Sequence, residues 1–156
     1  MARRSRQDAG ADPNAIVSEF YGVALSAAIR MKSIHAADLL IQRGANVNSW
    51  GGSQYSPLQA AAEIGSLDLV KRLLNAGADV NAPPAEDSGA TALQVAAMYG
   101  FIGIACLLLG KGAEVNAPTA KMEGKTTLES AAEHGRIDML RLLLNRGAKV
   151  KESGEV

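Results

Sequence analysis

The chain is poor in the residues that do chemistry. It has one cysteine, Cys106, in 156 residues, so no internal disulfide can form, and a reducing compartment, cytoplasm or nucleus, is expected. Two histidines, His35 and His134, stand far apart in the sequence and are not expected to converge on one metal or one proton. No paired-carboxylate, metal-ligand or phosphate-loop spacing is present. Gly110-Lys111-Gly112 lacks the upstream glycine and the following Ser or Thr that a phosphate loop needs. The chain is therefore read as a non-enzyme, with no catalytic residue, cofactor or metal site.

Other scarcities narrow the class further. Basic and acidic residues balance at 16 each, which gives no electrostatic reason to expect nucleic acid or a membrane surface as partner. No apolar run approaches the roughly 18 residues of a membrane span. One Trp, three Tyr and two Phe suit helical Ala/Leu packing better than a β-sandwich. Apolar residues at 47% against 21% charged still argue for a folded chain. Met1 to Asp12 is polar, without a signal-peptide core. Its Arg3-Arg4-Ser5-Arg6 cluster admits an import signal or a nucleic-acid contact, but three arginines alone are weak evidence, and it is read as a solvated tail.

What the chain does have is repetition. Ser56-Pro57-Leu58-Gln59-Ala60-Ala61-Ala62 leads through Gly65 to Gly77-Ala78-Asp79-Val80-Asn81. Thr91-Ala92-Leu93-Gln94-Val95-Ala96-Ala97 leads through Gly100 to Gly112-Ala113-Glu114-Val115-Asn116, and Thr126-Thr127-Leu128-Glu129-Ser130-Ala131-Ala132 through Gly135 to Gly147-Ala148-Lys149-Val150. A worn copy precedes them, from Val23-Ala24-Leu25-Ser26 to Gly44-Ala45-Asn46-Val47-Asn48. The closing glycines are 33, 35 and 35 residues apart, a period that marks stacked repeats.

One unit reads as helix, tight turn, helix, loop. Pro57 suits a first helical turn, and Gly65 suits a left-handed helix end. Ser66 caps the second helix. Leu67, Val70 and Leu74 form its apolar stripe, with Leu69 and Leu73 beside it, while Lys71, Arg72 and Asn75 face water. A single copy cannot bury that stripe, so neighbours must cover it. Cys106, set among Ile104, Ala105, Leu107 and Leu108, is read as a buried, inert thiol.

The pairing of Ser56-Pro57-Leu58 with Gly77-Ala78-Asp79-Val80-Asn81 resembles the ankyrin repeat. The likeness runs from about Glu19 to Val150, in four copies, the first degenerate. It implies an all-α solenoid of stacked helix-turn-helix units with β-hairpin-like finger loops. First helices and fingers would line a concave groove for a protein partner. Repeats are placed at about 18–50, 51–85, 86–120 and 121–150, between a tail at 1–12 and another at 151–156. The Gly51-Gly52-Ser53-Gln54-Tyr55 turn before Leu58-Gln59-Ala60-Ala61 resembles arrays common in fungal proteins. Where the family has a histidine after the leucine, this chain has Ser26, Gln59, Gln94 and Glu129, so its inter-loop hydrogen bonds are expected to be weaker or rebuilt on Gln59 and Gln94. Lys32 stands where later repeats have Gly65, Gly100 and Gly135, and a capping helix is expected over 14–20. The last repeat is either a serviceable cap or the cut end of a longer array.

By phase, Arg30 and Met31, Glu63 and Ile64, Met98 and Tyr99, and Glu133 and His134 recur at the ends of first helices. Trp50, Gln54 and Tyr55, then Asp87 and Ser88, then Met122, Glu123 and Lys125 fall at finger tips. Trp50 is either a contact residue or packed against Tyr55 or the first repeat. Met98 and Tyr99 either line the space between first helices or join Ile64 in an apolar stripe along the groove. The expected partner-binding set is Trp50, Tyr55, Glu63, Ile64, Asp87, Met98, Tyr99, Lys125, Glu133 and His134. The matching partner is a protein bringing aliphatic side chains and Lys or Arg, with the chain itself monomeric. The rival readings are an array belonging to a larger receptor or enzyme, and an oligomerisation module acting through its last repeat.

Overall fold

A computed structural model describes residues 10–12, 16–18, 22–50, 55–86 and 89–150. Eight helices are described, in four antiparallel pairs: α1 (Ala24–Arg30) and α2 (Ile34–Gln42), α3 (Pro57–Glu63) and α4 (Leu67–Asn75), α5 (Ala92–Tyr99) and α6 (Ile102–Gly110), α7 (Thr127–Glu133) and α8 (Ile137–Asn145). The first helices α1, α3, α5 and α7 pack successively against one another, and each also packs on the second helix of its own pair. This is the all-α solenoid expected. Between pairs the chain runs as turns. The tails at 1–9 and 151–156, with the arginine cluster, and the finger residues Gln54, Asp87 and Ser88 lie outside the described residues.

Local sequence sets each boundary. Ser56, Thr91 and Thr126 each accept from the backbone N–H three residues on, and Gln59, Gln94 and Glu129 accept in return from the cap residue's own N–H. These reciprocal capping boxes satisfy helix-end donors at both positions. Gly65, Gly100 and Gly135 then end each first helix region with φ of 72°, 75° and 62°. In the worn first pair, Lys32 adopts φ 57° in the same place, a left-handed backbone that costs a residue with a Cβ about 1–2 kcal/mol.

The missing histidines are replaced in kind. Gln59 accepts from Ser56 N with Oε1 at 2.9 Å and donates through Nε2 to the carbonyls of Ala82 and Pro83 at 3.1 and 2.9 Å. Gln94 repeats this toward Thr91 N at 2.8 Å and Pro118 O at 3.4 Å. Both side chains are fully buried. One amide thus closes the helix cap and pins the outgoing loop. Glu129 keeps only the accepting half, because a carboxylate has no N–H to give.

Neighbouring repeats are joined by the asparagines that close the Gly-Ala-x-Val-Asn motif. Asn48 donates to Gly77 O at 3.0 Å and accepts from Asp79 N at 2.7 Å. Asn81 does the same with Gly112 O and Glu114 N, at 3.0 and 2.8 Å. Asn116 does so with Gly147 O and Lys149 N, at 3.0 and 2.9 Å.

Three expectations are corrected. Within the stretch expected to be a capping helix, the described residues Ile16–Ser18 form a strand, β1, paired antiparallel with β2 (Gly22–Val23). Ile16 and Val17 are β-branched and favour extended backbone. The buried centre of α4 is Leu69, Val70 and Leu73, with Leu67 and Leu74 at its edge. Cys106 is exposed. Ile104, Ala105 and Leu108 form the buried stripe of α6, and Cys106 lies about 200° around the helix from Ile104 and Leu108.

Two substitutions at one repeat position should have opposite signs. A Cβ on Gly65 would stand 2.7 Å from a ring carbon of Phe101, so Gly65→Ala adds a clash to a left-handed backbone and should cost about 2–4 kcal/mol. Lys32→Gly relieves the same backbone and should gain about 0.5–1 kcal/mol. Urea denaturation midpoints check both.

Candidate partner-binding face

The ends of the first helices gather one aromatic group. Tyr55, entering α3, is half-buried. The Arg30 guanidinium at the end of α1 lies over its ring, 5.4 Å from the centroid. Tyr99 at the end of α5 stacks on Phe101, with centroids 5.6 Å apart and rings 21° from parallel. Phe101 in turn rests on Gly65, whose missing side chain makes the space. Tyr99 itself remains 42% exposed, so a rigidly held aromatic surface faces solvent. Ile64 and Met98 are half-buried beside it in phase.

Charge and burial act together on Tyr55. Its phenol pKa is raised, first by burial, then by the neighbouring Glu63 carboxylate and by Tyr99, while Arg30 pulls it down. These effects place Glu63, Tyr99 and Arg30 in one electrostatic neighbourhood with Tyr55, spanning three repeats.

The last repeat has a different character. An open cleft of about 690 Å³ lies between the loop carrying Glu123, Gly124 and Lys125 and the face of α7, where Glu129, Ala132 and Glu133 line it. Lys125 Nζ pairs with Glu133 Oε2 across it. His134 is exposed and its Nδ1 lies 3.0 Å from Ser130 O of its own helix. Glu123 has φ 53°.

Of the residues expected to bind, the structure brings Tyr55, Glu63 and Tyr99 together, and separately Lys125 and Glu133. Trp50 is 40% exposed in the loop that follows α2. Asp87 lies outside the described residues. Sequence reasoning missed Arg30 as the partner of Tyr55 and Phe101 as the support of Tyr99. The signal for the second was available, since Phe101 follows Gly100 as Ser66 follows Gly65. It also missed the apolar exposure of the second helices, where Leu39 is 52% and Ile137 57% exposed. Among the described residues, no helix is long and apolar enough to cross a membrane, and no three His, Cys, Asp or Glu side chains gather to hold a metal ion.

The family model for ankyrin repeats matches three overlapping times, over residues 7–84, 25–119 and 84–153. The chain belongs to the ankyrin-repeat family. Ankyrin repeats are in general protein-interaction modules and typically lack catalysis. Alpha-latrocrustotoxin-Lt1a from Latrodectus tredecimguttatus is 38% identical over 78 residues. That match takes in 50% of this ankyrin-repeat chain and 5% of the toxin's length.

The raised Tyr55 pKa gives a pH dependence. The fold holds this phenol protonated, so its contribution to stability is complete below the unfolded pKa of 10.0. It is lost as pH rises from there through the higher folded value. Tyr55→Phe should therefore flatten the fall in stability above about pH 10 relative to wild type, measured by urea denaturation across that range.

Proposed function

We propose that this ankyrin domain binds a partner protein along the face formed by the first-helix ends and the finger loops. The observation that carries this reading is the solvent-facing tyrosine, Tyr99, held by Phe101 and flanked by half-buried Tyr55, Ile64 and Met98. Aromatic side chains that are already fixed lose little rotamer entropy on binding, which is why Tyr recurs at the energetic centres of interfaces. Glu63 and Glu133 hold, on the neighbouring first helices α3 and α7, the position that Met98 holds on α5. A partner offering aliphatic groups with Lys or Arg complements both features.

A second reading has its own observation. Ala132 is exposed where the equivalent Ala62 and Ala97 are fully buried, and Ile137 and Leu144 are 57% and 50% exposed. The last repeat thus has an uncovered apolar side that a further repeat, or another copy of the chain, would cover. Light scattering over a concentration series separates the readings, since the groove reading keeps the free chain monomeric.

Affinity capture from native extract tests the groove directly. Ile64→Ala/Tyr99→Ala should lose partners that wild type retains, while Leu39→Ala, on the opposite row of helices, should keep them. Equal capture by all three proteins contradicts the reading.

A further inference from the structure

The aromatic stripe and the cleft beside α7 differ in chemistry, and together they specify the partner more closely. The cleft is lined by the carboxylates of Glu123, Glu129 and Glu133, by one ammonium, Lys125, and by the methyl group of Ala132. In the two preceding repeats the equivalents of Ala132 are covered completely. An apolar surface beside anionic walls matches a long cationic side chain, whose methylene stem packs on apolar atoms while its head stays with charge. The chain's own Lys125 already places an ammonium on Glu133. With both groups about half exposed, that pair is weak and exchangeable.

We propose that this cleft receives a lysine or arginine of an extended partner segment while Tyr99 receives an apolar residue of the same segment, and that Lys125 competes internally for Glu133. The inference rests on the groove reading above and adds a motif to it. Glu133 sits on α7 at the position that Met98, beside Tyr99, holds on α5. Packed helices lie about 8–10 Å apart, and an extended chain advances about 3.3 Å per residue. The apolar and cationic residues of the partner therefore stand about three positions apart. Lys125 offsets the charge of Glu133 until a better-placed cation displaces it.

Short fluorescein-labelled peptides and the full chain test this by anisotropy. One peptide carries Leu and Lys three positions apart; its variants put Glu for Lys, put Ser for Leu, or bring Lys next to Leu. The Leu/Lys peptide should bind tightest, and the Glu variant about fivefold more weakly, the scale of one exposed ion pair. Glu133→Gln should weaken the Leu/Lys peptide about as much, and Lys125→Ala should tighten it about twofold or more. Thermal melts of both variants check that the fold is kept. Equal binding of the Lys and Glu peptides, no binding of any peptide, or no effect of either cleft substitution overturns the inference. If the peptides fail while capture from extract still depends on Ile64 and Tyr99, the motif falls and the groove stands. If Ile64→Ala/Tyr99→Ala binds the Leu/Lys peptide as wild type does, the apolar anchor and the groove reading fall together.

Discussion

The side-chain amide that joins one repeat to the next is the interaction on which this fold depends. Asn48, Asn81 and Asn116 each give an N–H to a glycine carbonyl and take an N–H from the backbone two residues further on, in the following repeat. Those glycines end second helices in the left-handed conformation, which leaves their carbonyls outside the helical ladder and open to a neighbour. Each bridge fixes only adjacent units. Stability then accumulates along the stack from neighbour to neighbour, as it does in other linear repeat arrays.

Helix packing turns that register into a surface. Once first helices are locked in step, residues at equivalent phase come side by side, and Tyr55 can meet Arg30 from the unit before it and Tyr99 from the unit after. In two of the tight turns the glycine admits the residue that follows the glycine of the next turn. Phe101 lies on Gly65, and Arg136 lies on Gly100 while its Nε donates to Met98 O at 3.2 Å. The exposed aromatic group is thus supported from behind by the same contacts that set the spacing of the array. A surface prepared in this way loses little entropy when a partner arrives.

Much of this was legible in the sequence, and for identifiable reasons. Pro57 in a first turn, Ser66 at a cap and left-handed glycines at fixed offsets act locally, so they name helix boundaries without tertiary information. Gln59 and Gln94 were suspected of rebuilding the missing histidine network because they occupy its place. The bridges of Asn48, Asn81 and Asn116 were not read, since each partner lies about thirty residues away; their recurrence at the repeat period was the available signal. Cys106 was misplaced because its neighbours in sequence are apolar, whereas burial in α6 depends on angular position. The strand at Ile16–Ser18 was read as helix because a further capping element was expected ahead of the worn first repeat, whereas the β-branched Ile16 and Val17 favour extended backbone.

Amide hydrogen exchange in Asn81→Ala tests the nearest-neighbour account most directly. The backbone amides of Asp79, Glu114 and Lys149 are equivalent acceptor-held groups at three successive junctions. Removing the Asn81 side chain should accelerate exchange at Glu114 and leave Asp79 and Lys149 close to their wild-type rates. Unchanged protection at Glu114, or equal loss at all three amides, would contradict an array assembled junction by junction.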